Sequence, residues 1–327
     1  MAAGGEPVRR LWVLLLSAAA GCAGLRPGST TLDNARALFE AQRFGDVVTL
    51  LSDRELRTIR SRDLPRGYEL LGQSQERLGR PQDALRSYQS GVAQYPKDLN
   101  LLTHLGNLLH SGGLDEQARP YYVRILKLSP TNAAAHLGLA ETEYRLGFLE
   151  RSAAHYEAAL KTWNDQARLW LDYAQVLSDG RKYKEAFAAV GKSAALADTA
   201  PGAEGPGEPF RAATRAARAN ILWRLDRRAE AFDELDAAQK LEPGRLDFAQ
   251  QRALWALEAG ELDRANAAAG LVFNLKSDDP LGLWIRGASL LRRGRAAEAR
   301  RDLERAAAQK TAPFVAATAQ RLLESLR

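Results

Sequence analysis

The residues of this chain that could perform chemistry are few, and their spacing matches none of the common catalytic or metal sites. The chain has four histidines and one cysteine. No two histidines form a His-Glu-x-x-His pair, which would place two zinc ligands on one helix face. None lies in a pattern that pairs it with a nucleophile for acyl transfer. The sequence therefore predicts no enzyme activity, no metal site and no cofactor. The histidines are His104, His110, His136 and His155.

The segment Gly191-Lys192-Ser193 matches the end of a phosphate-binding loop, which cradles phosphates with free backbone N–H groups. That loop needs another glycine five places earlier, where Ala186 stands. The segment also falls inside a predicted helix, whose N–H groups are already hydrogen-bonded. We therefore expect neither a nucleotide nor another small-molecule substrate. Nucleic acid is not expected either, because basic and aromatic residues are not interleaved.

The elements that carry these residues repeat every 34 places. Small residues keep one frame along the chain and resume it after a break, and a second small series lies twelve places further on. A unit of this length is one supersecondary element that buries its apolar face only by stacking on its neighbours. The first series comprises Gly72, Gly106, Ala140, Ala174, Ala219, Ala253 and Gly287.

Residues 65–98 illustrate the structure predicted for one unit. Apolar residues at helical spacing precede Gly79-Arg80-Pro81, and a second apolar stripe that includes Ala84 and Tyr88 follows. Helical periodicity on both sides of a Gly/Pro interruption predicts a helix, a turn and a second helix. The predicted turn residues are Gly79, Gly113, Gly147, Gly180, Gly260 and Gly294, with Asp226 in the same place in a seventh unit.

The residues Tyr68, Leu71-Gly72, Ala84, Tyr88 and Pro96 resemble the motif of the tetratricopeptide repeat family. The resemblance implies an all-α fold, a right-handed α-solenoid of stacked helix-turn-helix units with a C-terminal cap helix. It also implies protein binding rather than catalysis. An eroded unit is predicted at 32–58, and full units at 65–98, 99–132, 133–166, 167–200, 212–245, 246–279 and 280–313.

The units define the predicted domain organisation. An N-terminal array covers 32–200 and a C-terminal array covers 212–313. Between them, residues 201–211 are rich in Pro and Gly and are predicted to form an exposed loop insertion. Residues 314–327 are predicted to form the cap helix, because a solenoid needs a solvated end.

The N-terminal segment indicates export. Residues 1–21 contain a pair of arginines, a short apolar run and then small residues, the order found in a secretory signal peptide. Small residues directly before Cys22 resemble the bacterial lipobox, which implies lipidation of Cys22. Residues 22–31 would then form a tether. Ordinary signal-peptidase cleavage near Ala20, with an incidental cysteine, is the alternative.

The resemblance also implies a concave groove lined by the first helix of each unit. Family members that hold peptides place asparagine where this chain has Asn107 and Asn220. The basic residues that grip an acidic tail in other members are absent, since Thr103 and Leu137 occupy their places. For Trp223 and Trp284, packing between repeats is the alternative to partner contact. The predicted groove residues are Asn107, His110, Tyr144, Gln175, Asn220, Trp223, Leu254, Leu257 and Trp284.

These features together predict a membrane-anchored scaffold that binds a partner peptide or protein in the groove. Its expected location is the bacterial cell envelope, as a lipoprotein of the outer membrane facing the periplasm. An assembly factor of the pilotin type, for a secretin, a pilus or another envelope complex, is one alternative. An activator of a cell-wall enzyme is another. The basic end at 280–327, with nine arginines and one lysine against four acidic residues, is an alternative binding surface.

Overall fold

The computed structural model describes residues 30–199 and 207–326. The predicted signal peptide and Cys22 lie outside these residues, as does part of the predicted insertion. The chain divides into two compact units, residues 1–162 and 163–327. Across the described residues the secondary structure is helical without strands, which confirms the all-α prediction.

The described part of the first unit consists of helices joined by short turns. Helices α4 to α9 form three antiparallel pairs that match the predicted repeats, and the eroded repeat forms the short helices α1 to α3. The helices are α1 (Thr31–Glu40), α2 (Phe44–Leu50), α3 (Asp53–Leu56), α4 (Leu64–Arg77), α5 (Pro81–Gln94), α6 (Leu99–Ser111), α7 (Asp115–Leu128), α8 (Ala133–Arg145) and α9 (Leu149–Leu160).

The second unit continues with four pairs and a final single helix. Helix α18 packs against the last pair through Ala319, which is fully buried, and occupies the place of the predicted cap. The helices are α10 (Ala167–Asp179), α11 (Tyr183–Thr199), α12 (Glu208–Arg224), α13 (Arg228–Leu241), α14 (Leu246–Glu258), α15 (Leu262–Leu275), α16 (Pro280–Arg292), α17 (Ala296–Ala307) and α18 (Pro313–Glu324).

Aromatic packing inside the pair explains two of the small residues of the frame. The ring of Tyr88 on α5 lies directly against Gly72 on α4, so that a Cβ on Gly72 would lie 2.5 Å from the Tyr88 Cζ. A Cβ on Gly106 would lie 2.9 Å from the Tyr122 Cε1 in the next pair. Both rings are buried. Glycine at these two places therefore makes room for the side chain that fills the core of the pair.

The turns require a left-handed backbone at one residue, which favours glycine because it has no Cβ. In five units that residue is a glycine, and in the unit after the break it is Asp226, with φ 58°. In the remaining unit the predicted turn residue was Gly180, but the left-handed residue is Arg181, with φ 60°. The strict 34-residue frame falls on Arg181, and Gly180 precedes it by one place. The five glycines are Gly79, Gly113, Gly147, Gly260 and Gly294.

Helix α12 starts at Glu208, four residues before the expected start of the second array at 212. Pro209 lies in the first turn of this helix, where the missing proline N–H costs no hydrogen bond because the first helical N–H groups have no partner within the helix. Residues 208–211, assigned from sequence to the insertion, therefore belong to the first helix of the next pair. Among the described helices, none combines the length and apolar character needed to cross a bilayer.

A candidate binding cavity in the second unit

A cavity of about 620 Å³ lies in the second unit where the ends of α10 and α12 meet. Its wall is mostly polar. Two of the predicted groove residues, Gln175 and Asn220, line it together, and both are exposed. The lining residues are Gln175, Ser178, Asp179, Arg181, Tyr183, Ala217, Asn220, Ile221 and Arg224.

The two amide side chains of the cavity are only partly engaged by the protein. The Gln175 Nε2 donates to Asp179 Oδ1 at 3.0 Å, and the Asn220 Nδ2 donates to the Ala216 carbonyl one turn earlier, also at 3.0 Å. Neither amide carbonyl accepts a hydrogen bond from another described residue. An amide can both donate and accept, so the two side chains can pair with the N–H and C=O groups of an extended main chain.

Three predicted groove residues lie in the first unit, where two of them form internal hydrogen bonds. The Asn107 Oδ1 accepts from the Tyr122 hydroxyl at 2.7 Å. The His110 Nδ1 lies 2.6 Å from Asp115 Oδ1, and Arg145 donates to the same carboxylate at 2.8 Å. Tyr144 is half-buried and also interacts with other residues. These side chains therefore link neighbouring helices.

Hydrogen bonding raises the pKa of His110 above its ordinary value. The contact with Glu141 is the main cause and that with Asp115 adds to it, while burial and the charge of Arg145 act in the opposite direction. The His110 Nε2 lies 3.4 Å from Glu141 Oε2. A protonated His110 can thus bind Asp115 at the start of α7 and Glu141 on α8 at the same time, which links the two helices.

The C-terminal groove residues contribute mainly to packing. Trp223 stacks on Trp255 with ring centroids 4.7 Å apart, which joins α12 to α14. Leu257 is only 3% exposed and Leu254 packs against the same core. Trp284 is half-buried between two apolar clusters, and its indole N–H has no partner among the described residues. Leu257 is therefore not on an accessible surface, and the two tryptophans have the packing contacts of the alternative interpretation.

Four arginines of the basic C-terminal end are neutralised by internal ion pairs. Arg286 makes a two-pronged ion pair with Asp302, and Arg295 does the same with Glu298. Arg293 and Arg305 also form ion pairs, with Asp263 and Asp278. The charge of these arginines is thus less available to a partner than the composition suggests.

A pair of histidines lies between α8 and α9. The two Nδ1 atoms of His136 and His155 are 3.0 Å apart, and the His136 Nε2 lies 3.0 Å from the Pro130 carbonyl, to which it donates. Burial lowers the pKa of His155, partly opposed by the charge of Glu143. The described residues contain no group of three His, Cys, Asp or Glu side chains arranged to hold a metal ion.

Sequence reasoning did not single out the cavity residues Arg181, Tyr183 and Arg224. One signal for Arg181 was present: in the strict frame it stands where five other units have glycine. An arginine in a left-handed turn is costly, so an arginine in place of the usual glycine marks the position. For Arg224 the signal was the recurrence of arginine at the same place of other units, at Arg77, Arg145 and Arg292. For Tyr183 no signal exists, because its place varies in type from unit to unit.

Comparisons with known proteins agree with the fold. A family model described as a tetratricopeptide repeat matches residues 69–133, 113–167 and 137–209. No curated protein sequence matches the chain. Among solved structures, the C-terminal part of a TPR repeat-containing protein from Cytophaga hutchinsonii matches with a TM-score of 0.62 at 14% identity. The match covers 77% of this chain and 98% of that one.

Two further structures resemble this chain. The Cut9–Hcn1 hetero-tetramer of APC/C matches with a TM-score of 0.52 at 14% identity, covering 85% of this chain and 52% of that one. This chain thus spans about half the length of that relative. The pilF protein of Pseudomonas aeruginosa matches with a TM-score of 0.50 at 18% identity, covering 68% of this chain and 96% of that one. At these identities the likeness concerns the fold. The repeat frame, the stacked helix pairs and the family match over residues 69–209 show that this chain has a tetratricopeptide repeat fold.

Proposed function

We propose that this protein is an interaction scaffold that holds an extended segment of a partner protein in the cavity between α10 and α12. Tetratricopeptide repeats generally mediate contacts between proteins, and stacked repeats create extended binding surfaces. The observation that carries the proposal is the meeting of Gln175 and Asn220 in one open cavity. The cavity lies within the usual size range of ligand sites, roughly 300–1,000 Å³.

The chemistry of the wall favours a polar, extended ligand. Only Ala217 and Ile221 among the lining residues are apolar, so an apolar ligand would gain little from burial there. Two amides with free carbonyl groups suit a main chain, which presents alternating donors and acceptors. Half-buried Trp223 and buried Leu257 lie in the packed core of the same unit, which gives the cavity a rigid support.

A site-specific cross-link in the native host tests this proposal. The photoreactive residue p-benzoylphenylalanine replaces Ala217 in the cavity, or Asn274 on the exposed end of α15 as the matched control. We expect one protein to be captured from position 217 and not from position 274. Equal capture from both positions would contradict the proposal.

The captured partner is then purified and its affinity for two alanine variants is measured. Asn220→Ala removes a cavity amide and Asn274→Ala removes an exposed amide elsewhere. We expect Asn220→Ala to weaken binding by tenfold or more and Asn274→Ala to leave it unchanged. Both side chains are exposed on helices, so neither variant should unfold the protein. Unchanged affinity of Asn220→Ala would overturn the cavity as the site.

We also propose that Cys22 carries a lipid that anchors the scaffold in the bacterial envelope, at the outer membrane and facing the periplasm. The supporting observation is that the sole cysteine follows small residues at the end of a signal-like segment. Wild type should sediment with membranes and show a lipid mass on the peptide that begins at Cys22. Cys22→Ser should move the protein to the soluble fraction. A soluble wild type without lipid would refute the anchor.

An assembly role for a secretin, a pilus or another envelope complex is a narrower proposal. It is supported by the lipoprotein-like leader, and the likeness to pilF adds only a shared fold. Capture of a secretin or pilus subunit from position 217 would favour this role. Capture of a cell-wall enzyme, followed by a change in its activity on adding this protein, would favour the activator role instead.

A further inference from the structure

In two places of the structure, an arginine links the first helix of one repeat to the first helix of the preceding repeat by a hydrogen bond. We call the contact between two consecutive first helices a junction, and such a bond closes it. Arg145 donates to the carbonyl of His110 in the first unit, and Arg292 donates to the carbonyl of Leu257 at 2.8 Å in the second. Donor and acceptor are 35 residues apart in both cases. Each arginine lies in the last turn of its helix and binds a carbonyl in the last turn of the preceding first helix, where such groups lack helical partners.

The corresponding residues at the junction of α10 and α12 are Ser178 and Arg224. They are 46 residues apart in the sequence because of the insertion. Arg224 does not bind the Ser178 carbonyl, and it makes no hydrogen bond or ion pair with any other described residue. Instead, the cavity opens between α10 and α12, lined by both residues. The junction that an arginine closes elsewhere is open here.

A second arginine without a partner lines the same cavity. Arg181 has a left-handed backbone, with φ 60°, at the turn place that is glycine in five units. Its guanidinium also makes no ion pair within residues 30–199 and 207–326. Backbone strain of this kind persists where the surroundings impose it and is enriched at functional sites. Both arginines thus present free charge to one cavity.

The wall of the cavity carries two guanidinium groups and one carboxylate, Asp179, which already accepts from Gln175. The hydroxyl groups of Ser178 and Tyr183 are further donors. Guanidinium binds carboxylate through two parallel hydrogen bonds. We propose that Arg181 and Arg224 bind a carboxylate of the partner segment, either an acidic side chain or a C-terminus. This inference rests on the proposed function, since it specifies the ligand of the same cavity.

The site differs from the acidic-tail site that the sequence excluded. That site would need basic residues at the places of Thr103 and Leu137, on first helices of the first unit. Here the charges come from a turn and from the last turn of a first helix, and neither arginine has an ion-pair partner among the described residues. The adjacent amides of Gln175 and Asn220 complement a peptide main chain, which favours a peptide carboxylate over a free phosphate.

Peptide selection on the purified full chain tests the proposal. Random eight-residue peptides with a free C-terminus are displayed and selected, and the enriched sequences are synthesised with their Gln or Asn counterparts and with an amidated C-terminus. We expect enrichment of Asp, Glu or the free carboxylate, and a tenfold or greater loss of affinity when that carboxylate becomes an amide. A selection that yields no such dependence overturns the proposal.

Three variants locate the binding. Arg224→Gln should lower the affinity for the selected peptide tenfold or more. The matched control is Arg321→Gln, which replaces an exposed arginine on α18. Arg181→Gly should weaken binding while keeping or raising the melting temperature, because glycine relieves the left-handed turn. Loss of binding with an unchanged or higher melting temperature cannot come from misfolding. Equal affinity of Arg181→Gly, Arg224→Gln and wild type would overturn the assignment.

The outcomes separate the two proposals. If the selected peptides are neutral, and Asn220→Ala lowers their affinity while Arg224→Gln does not, the cavity binds peptides but the carboxylate assignment fails. If acidic peptides bind equally to Asn220→Ala and Arg224→Gln, the cavity is not the site and both proposals fail. If inorganic phosphate displaces the peptide at concentrations where acetate does not, the anion is a phosphate and the carboxylate assignment is wrong.

Discussion

Replacing Gly72 by alanine should destabilise the first unit, although alanine is the better helix former. Gly72 lies in the interior of α4, and a Cβ there would be 2.5 Å from the Cζ and 2.8 Å from the Cδ1 of Tyr88. Favourable carbon–carbon contacts begin at about 3.5 Å. The ring of Tyr88 would therefore have to retreat by roughly 1 Å.

The surroundings of the ring oppose that movement. Tyr88 is fully buried, its ring stacks on His104 with centroids 5.4 Å apart, and its hydroxyl donates to Glu76 at 2.5 Å. Overpacking of a core costs about 1–3 kcal/mol. The gain in helix propensity from glycine to alanine offsets about 1 kcal/mol. Since the ring is held on several sides, the net loss should be about 1–2 kcal/mol.

Gly191 provides the matched control. It lies in the interior of α11, and nothing lies within 4 Å of a Cβ built there. Gly191→Ala should therefore stabilise its own helix pair by about 0.5–1 kcal/mol, the propensity gain alone. The two substitutions are chemically identical, and their predicted effects differ in sign because only one of them meets an aromatic ring.

Native-state hydrogen exchange is the appropriate assay, because repeat arrays unfold in parts and a single global transition is not assured. Exchange protection of residues 64–94 in Gly72→Ala and of residues 183–199 in Gly191→Ala is compared with that of wild type. We expect lower protection in the first case and equal or higher protection in the second. If Gly72→Ala raises protection as much as Gly191→Ala does, the Tyr88 ring does not explain why a glycine stands at position 72.

Three further predictions concern single side chains. Arg286→Met should destabilise the second unit by about 2 kcal/mol in urea unfolding, because the Asp302 side chain, which is 8% exposed, would lose its two-pronged ion-pair partner. The control Arg227→Met removes an exposed ion pair with Glu230 and should have almost no effect. His110→Gln should lower the urea midpoint more at pH 5 than at pH 8. Because the pKa of His110 is raised in the folded protein, protonated His110 stabilises the fold below its ordinary pKa of about 6.5, and this contribution is lost as the pH rises through the folded-state pKa. Equal losses at both pH values would contradict this prediction. Asp226→Gly should raise the free energy of unfolding in urea by up to about 1 kcal/mol, because glycine adopts the left-handed turn without strain. A lower free energy of unfolding would show that the Asp226–Arg228 contact matters more.

Much of the fold follows from local pattern. The 34-residue frame predicted the helix pairs because a helix depends on the spacing of apolar residues within a few turns, and the turn glycines mark where each pair reverses. The turn residue was predicted one place too early at Gly180, because the nearest glycine was chosen although the 34-residue frame falls on Arg181. At Glu208 the pattern missed a helix start because Pro209 was interpreted as a helix breaker, although proline is favoured in the first turn.

The candidate site was predicted in part. Helical phase predicted Gln175 and Asn220 as groove residues, and the structure shows both exposed on consecutive first helices, where they line one cavity. The same phase assigned Trp223 and Leu257 to the groove, but they pack against neighbouring helices. Phase specifies the face of a helix on which a residue lies. It does not specify whether a neighbouring side chain already covers that face.

The sequence by itself determined that this chain is a stack of helix pairs, because each pair is encoded by periodicities that are complete within 34 residues. Only the tertiary structure decided which junction is open. Arg145 and Arg292 bind the carbonyls of the preceding first helices, whereas Arg224, in the corresponding place, has no partner among the described residues and lines one cavity with Arg181. The physical reason is that such a hydrogen bond depends on the distance between two consecutive pairs, which is set by the packing of both pairs and by the segment that connects them.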